Sequence, residues 1–445
     1  MPHSLAPLAP GAVPFAGHAL TLLRDPADWL RRCTEAGHPV QQFRIWNRPG
    51  VLVTAPELAH EVLVTEADTY DKTGRVYDNT RAILGDIFGV ADGRRNAVLR
   101  RRIQPAFRRA RIVEAVPTMS LEARRLSGRW RSGTEIDVAR ATAPYVHRSA
   151  VRTMLPVVPA AEIDRLAAAS SRLFSGLYLC ALLPTAAMPL LARRLRPALD
   201  TLRRAQADAL PKYREDPGCS GLLAALTETS GEDSPGPASE GEVGDYFVSL
   251  LLASGDNTHS AVAWLLHHLA QDQEMQQRLA DEVAAVAPEG PATHAELARM
   301  PLLRNTIAET LRVRPPTWMV VRSAVRAAEL GGHRLPAGTD VYVSPHLLHH
   351  DPAAFPDSGD FAPGRWPEGG PAARDHTYLP FGAGPRKCPG DHFGMTSVAV
   401  VTATLLATWR LLPAGPAPRT RFRTVQMPVR CRLTVLARRP GKPPR

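Results

Sequence analysis

The sequence predicts a fold that is mainly α-helical with a small β-rich subdomain. Three observations carry that expectation. Apolar residues recur three and four apart over six long segments, which is the period of a half-buried helix. Only four short runs are β-rich, and no internal repeat or restart of pattern divides the 445 residues, so 1–445 reads as one domain.

In chain order, residues 1–12 are expected to be a flexible N-terminus. "VQQFRIW" (40–46) and "GVLVT" (50–54) follow as strands, then helical stretches over 56–65 and 92–126. Helical pattern continues over 160–215, where "LFSGLYLCALLPTAAMPLLARRL" (173–195) is apolar enough to consider for a membrane. Pro184 and Pro189 interrupt it, which favours two buried helices joined by an apolar loop. Residues 229–245, "TSGEDSPGPASEGEVGD", are rich in Gly, Pro and Ser and read as a mobile surface loop. Helices are expected over 243–286, 294–313 and 391–409, and strands at 339–345 and 431–438. The two ends of the chain would supply the small sheet.

Composition excludes several classes. Lys and Arg outnumber Asp and Glu by 54 to 43, a net charge of +11, with the excess in arginine clusters such as 94–109 and 193–204. No zinc-finger, helix-turn-helix or aromatic RNA-binding signature accompanies them, so no nucleic acid is expected. The clusters fit a solvated face or a surface that steers an acidic protein partner. The five cysteines are scattered without a CxxC pair, which argues against a disulfide framework or structural zinc. No signal peptide is legible, and the expectation is a cytoplasmic protein without a membrane anchor.

Three stretches carry chemistry. "FGAGPRKCPG" (381–390) wraps Cys388 in glycines and sets Arg386 and Lys387 beside it, directly before a helix N-terminus. Such surroundings favour a thiolate, to attack a substrate or to bind a metal. "DYFVSLLLASGDNTHSAVAWLLHHLA" (245–270) is apolar on nearly every face, yet Ser254, Gly255, Asp256, Asn257 and Thr258 interrupt its centre. A mid-helix glycine costs about 1 kcal/mol relative to alanine and a buried carboxylate costs more, so the break reads as a place where ligand or water approaches. In "AETLRVRPP" (308–316), Glu309 and Arg312 share one helical face and can pair. As a nucleophile Cys388 is poorly served: no phosphate-gripping arginine follows it, and His392 lacks a third group. The cluster His346, His349 and His350 follows a strand and reads as structural rather than zinc-binding.

In this order the three stretches resemble the cytochrome P450 family, and the resemblance to soluble bacterial members of natural-product biosynthesis runs from residue 13 to the last strand. Phe381, Gly384, Arg386, Cys388 and Gly390 fit its Phe-x-x-Gly-x-Arg-x-Cys-x-Gly signature. Glu309 and Arg312 fit its Glu-x-x-Arg pair, with Arg365 of "FAPGRW" as the third member of a structural network. The resemblance implies haem b (iron protoporphyrin IX) between the interrupted helix and the cysteine-loop helix. Cys388 would be the axial ligand, a soft thiolate that pushes electron density toward O–O cleavage. Cofactor-binding roles fall on Arg100, Arg322, Phe381, Arg386, Cys388 and Gly390, the arginines neutralising propionates. Asp256, Asn257 and Thr258 take the catalytic positions. The pocket would involve Leu252, Ala253, Trp318, Met319, Val320, Gln426 and Met427, with further lining from 76–87, 174–183, Asn257, Thr317 and Val425.

Two departures stand out. The family's usual threonine after the acid, which manages protons where oxygen is activated, is Asn257; Thr258 lies about 100° further round the helix. Asn96 stands where Trp or His more often accompanies the propionate arginine Arg100. The implied function is insertion of one atom of O₂ into a lipophilic small molecule, a terpenoid or polyketide natural product. No flavin or nicotinamide fingerprint is present, so electrons would come from a ferredoxin with its ferredoxin reductase or from a flavodoxin, to a monomeric enzyme. Asn257 keeps a second reading open, a P450-type desaturation, radical coupling or isomerisation without oxygen insertion.

Overall fold

The apolar stripes of the helices converge on one long helix, Glu240–Gln271. It starts at a reciprocal cap: the Ser239 hydroxyl accepts from Glu242 N–H, and the Glu242 carboxylate accepts from Ser239 N–H. On either side of its centre Phe247, Leu251, Val262, Leu265 and Leu266 are fully covered, each such side chain contributing about 2 kcal/mol. Helices Val138–Met154, Ala160–Leu182 and Asp391–Thr408 pack directly against it. The computed structural model describes residues 6–156, 158–215, 226, 238–371 and 376–438.

The six helical stretches are all present, subdivided where the chemistry requires. Pro105, which lacks a donor, turns the 92–126 stretch into helices Gly93–Ile103 and Arg109–Ser127 around a short 3₁₀ turn. Leu183 and Pro184 end the apolar helix Ala160–Leu182, and Met188 begins the next. No helix among the described residues is long and apolar enough to cross a membrane. Asp272 splits 243–286 by capping Gln273–Val286. Pro301 opens the helix Pro301–Val313 that carries Glu309 and Arg312.

The β part differs from the expected single sheet. A five-stranded sheet runs in the order Val40–Ile45, Arg48–Val53, Asp340–Val343, Val320–Ala324, Tyr70–Asp71. The pairing of Arg48–Val53 with Asp340–Val343 is parallel and the others antiparallel. Strand Arg432–Ala437 instead joins Thr134–Asp137 and Trp409–Pro413 in a separate sheet. Strand 320–324 escaped the sequence pattern, because an arginine and a serine interrupt its apolar run; yet it places Asp71 opposite Ser323, beside Arg322.

Two boundary expectations are corrected. Residues 6–12 are not free, because Ala9 N–H donates to Gln42 O and Gln42 N–H donates to Pro7 O, which pins them to the first strand. Residues 1–5 lie outside the described residues. Of the expected loop 229–245, residues 229–237 also lie outside them, whereas 240–245 already form the first turns of the long helix.

Candidate active site

The cysteine loop is shaped by backbone that no side chain would permit. Gly384 has φ +67°, and a Cβ there would sit 1.9 Å from the carbonyl oxygen of Leu63. A Cβ on Gly390 would press 3.1 Å from the Phe107 ring. Cys388 N–H donates to Phe381 O at 2.9 Å, closing the loop so that the half-buried sulfur sits just before helix Asp391–Thr408. Burial pushes the Cys388 thiol up, opposed by the backbone N–H of Gly390 and the charges of Arg100 and Lys387. Without a metal, the dense surroundings of the sulfur thus outweigh the helix end. A sulfur in this position becomes an anion when a metal displaces its proton.

Behind the loop lies a closed polar network. Arg312 uses all five of its N–H groups: Nε and Nη2 donate to Glu309, and the remaining donors reach the carbonyls of His349, Ser358 and Asp360. Glu309 also accepts from Arg365 Nε at 2.9 Å, Trp366 Nε1 at 3.0 Å and Ala362 N–H at 3.0 Å. Neither Glu309 nor Arg312 is exposed at all. His349 ties this network to the chain entering the cysteine loop: its Nδ1 donates to Arg312 O, and its Nε2 accepts from Leu379 N–H. His349 is therefore structural, as expected, and so is His350, whose ring bonds His346 O.

Beside the sulfur, cations gather with too few anions. Arg386 pairs with Asp71 and donates to Ala91 O, while Arg322 is buried and donates to Val321 O. Lys72, which sequence reasoning missed, joins them, its Nζ donating to Gly89 O at 2.7 Å. Burial and the charges of Arg322 and Arg386 push its pKa down to about 7, while Asp71 and the Cys388 sulfur pull it up. Arg100 reaches the loop from the far side, donating to Lys387 O at 2.7 Å. Asn96 is buried and spends its amide on Phe88 O.

The long helix opens at its interruption. Ala253 is exposed and Asn257, one turn on, is partly so, while Leu252, Gly255 and Asp256 are buried. Asn257 is held at both ends: Nδ2 donates to Ala253 O at 2.8 Å, and Oδ1 accepts from the Thr317 hydroxyl at 3.2 Å. The carbonyl can only accept, which fixes the amide's orientation. Thr258 is partly exposed. Asp256 points elsewhere, toward Ser171 Oγ at 3.4 Å and His147, and burial raises its carboxyl to about 6.

The profile of the family described as Cytochrome P450 matches residues 7–156 and 200–434. The chain belongs to the cytochrome P450 family. Similar proteins include cyclooctatin synthase of Streptomyces melanosporofaciens, 35% identical with 94% of this chain and 91% of that protein covered. Cyclooctat-9-en-7-ol 5-monooxygenase of the same organism is 32% identical, covering 91% and 89%. Pentalenene oxygenase of Streptomyces avermitilis is 30% identical, covering 98% and 99%. As a cytochrome P450 the chain is a monooxygenase of the haem-thiolate class, and its residues fit that group. Lys72, Arg322 and Arg386 gather with one carboxylate, Asp71, where burial and the Arg322 charge depress the protonation of Lys72 and Arg386. A porphyrin's two propionates are the natural complement of this excess of cations.

Among pocket residues of this P450, Ala253, Met319 and Val320 remain accessible. The expectation for Trp318 and Gln426 is corrected. Trp318 is buried among Tyr178 and Phe422, its indole N–H donating to Arg423 O. Gln426 is fully buried and donates to Pro315 O, because a buried amide must find backbone partners. Leu252 and Met427 are nearly covered. Thr317, the first residue of the expected pocket stretch 317–320, is partly exposed and turns its hydroxyl to Asn257.

Proposed function

We propose that this P450 inserts one atom of dioxygen into a cyclic terpenoid, with Cys388 holding haem and Arg386, Arg322, Arg100 and Lys72 neutralising its propionates. The observation that carries this reading is the accessible stripe of Ala253 and Asn257 in an otherwise buried helix. The three bacterial relatives, two of them named for cyclooctatin chemistry and one for pentalenene, support the terpenoid class. When bound, haem with a thiolate ligand supplies the power to activate dioxygen with two electrons. Phe381 and Gly390 shape the loop around the sulfur and keep water from it. The chain works as a single cytoplasmic domain over 1–445, a monomer supplied by a ferredoxin system or a flavodoxin.

The chain's own part in the chemistry is to handle protons and hold the substrate. Asp256 releases a proton most readily near pH 6 and is the reservoir. Asn257 cannot pass protons as a hydroxyl does, but its second amide hydrogen orders a water or a substrate oxygen. The Thr317 hydroxyl beside it supplies the hydroxyl that the usual threonine would have given, while Thr258 lies further round the helix. The pinned Asn257 amide also favours a second reading, in which it orients the substrate for desaturation or rearrangement without oxygen insertion. Turnover under heavy-isotope dioxygen, with cyclic terpenes preselected by their shift of the Soret band, separates the two. The expected product carries one heavy oxygen atom. An unlabelled main product assigns the enzyme to the second reading, and Asn257→Thr then diverts it toward labelled alcohol.

A further inference from the structure

At the polar centre of the long helix, three side chains converge that the oxygenase reading does not use together. His147, from helix Val138–Met154, Asp256 and His259 each offer one ligand atom, and these atoms lie within 4.8 Å of one another. All three residues are more than nine-tenths buried. Gly255 makes the room: a Cβ there would lie 3.0 Å from both Nδ1 and Cε1 of His147.

The polar accounting of this cluster does not close. His259 Nε2 donates to Ala139 O at 2.6 Å, so its Nδ1 carries the lone pair. His147 Nε2 stands 3.9 Å from Asp256 Oδ1, beyond hydrogen-bond reach, and His147 Nδ1 is buried without a partner. Among the described residues, the hydrogen bond to the Asp256 carboxylate is the long one from Ser171. Burial lowers the pKa of both histidines, His147 to about 4, so neither supplies a positive charge at neutral pH. Arg421, exposed on strand Arg419–Phe422, and Asp137 are the charged groups that act on the cluster from neighbouring elements. Two imidazoles and a carboxylate thus meet in a dry place with no strong donor between them.

We propose that His147, Asp256 and His259 form a binding site for a divalent transition cation of the zinc type, whose occupancy takes the Asp256 carboxyl out of proton delivery and so holds turnover back. Two imidazoles and a carboxylate are a donor set that Zn²⁺ takes, with a fourth position for the Ser171 hydroxyl or a water. The bond from His259 Nε2 to a backbone carbonyl is the outer support that metal-ligating histidines use to fix ring and tautomer. Ligands at about 2.0–2.1 Å around one tetrahedral ion stand roughly 3.3 Å apart, so the 3.9 Å pair needs a contraction of about half an ångström and separations up to 4.8 Å one of up to about 1.5 Å. Iron in haem is held elsewhere by sulfur, and this site selects a different ion by its nitrogen and oxygen donors.

The test uses haem-loaded enzyme stripped with a chelator and titrated with zinc chloride against a chromophoric competitor. One tight equivalent is expected at pH 7.5. It should weaken at least tenfold toward pH 5, as protons compete for Asp256 and the imidazoles. Zinc K-edge absorption should show nitrogen and oxygen ligands with imidazole scattering and no sulfur. His147→Gln and His259→Gln should each weaken zinc at least tenfold, while His294→Gln and His392→Gln leave it unchanged, with the reduced carbon monoxide spectrum intact throughout. No tight equivalent, a sulfur-containing shell, or binding indifferent to His147 and His259 overturns the proposal. The zinc shell of the wild type decides the matter even where a variant fails to fold.

Discussion

Asp256 is a carboxylic acid placed where ionisation is expensive. Its pKa of about 6 in the fold exceeds the unfolded value near 3.9, and burial is the main cause. A raised pKa means that the group's stability contribution is full below about pH 4 and is lost as pH rises through 6. At roughly 1.4 kcal/mol per unit, holding the carboxylate ionised at pH 7.5 costs about 2–3 kcal/mol. Asp256→Asn is therefore expected to raise the thermal midpoint of haem-loaded, chelator-stripped protein at pH 7.5 and to leave it nearly unchanged at pH 4. The same variant should slow turnover about 100-fold, the size of a lost general acid. A variant no more stable at pH 7.5 would show that the acid is not strained. The sequence displayed this acid and the neighbouring Asn257, but not that the two side chains face different surroundings. That divergence needs the positions of Ser171, His147 and Thr317, which come from distant parts of the chain.

At the scale of elements, the cysteine loop and the Glu309 network behave as one unit joined through His349. The glycines of the loop differ in what they do. Gly384 faces the Leu63 carbonyl in the turn Glu61–Thr65, whereas a Cβ on Gly382 would meet nothing within 4 Å. Both have left-handed φ, +67° and +68°. Gly382→Ala should cost only the left-handed penalty, about 1–2 kcal/mol, and leave haem content near wild type. Gly384→Ala should displace the loop and abolish most of the absorbance of reduced protein with carbon monoxide. Equal haem content in the two variants would refute the assigned contact. Sequence alone marks both positions as glycine; only the fold says which one touches backbone. The Glu309–Arg312 pair shows the opposite case, since helical spacing places the two together from the start. Its burial, and the recruitment of Arg365 and Trp366, depend on a chain segment some fifty residues further on.

For the whole molecule, the +11 charge is unevenly committed. Arg102 is spent on Glu242 at 2.5 Å, and Arg95 on Asp86 at 2.6 Å. Arg101, Arg108 and Arg109 stay exposed next to Phe107, which packs against Gly390 and Phe393 in the cysteine-loop helix. An acidic electron donor is expected to be steered to that face. Its association rate should fall about tenfold or more as ionic strength rises from about 0.05 to 0.5 M, by stopped-flow reduction. Charge reversal at Arg101 and Arg108 should flatten that dependence, while reversal at Arg102 should chiefly disturb the fold. Salt-independent reduction would leave these arginines as solvated surface.

What the sequence determined by itself is everything set by spacing within a few residues. It carried the helical stripes, the cysteine signature and its cap-forming glycines, the Glu-x-x-Arg pair and the polar break in the long helix, and hence the family. Only the tertiary structure decided which side chains meet across the chain. Lys72 joins Arg322 and Arg386 because strand Tyr70–Asp71 docks beside Val320–Ala324. Trp318 turns inward because its indole N–H finds Arg423 O. The Cys388 thiol is raised rather than lowered because burial, a sum over many remote atoms, outweighs the local field of one helix end. Local pattern sets the elements; desolvation and long-range partners set the chemistry.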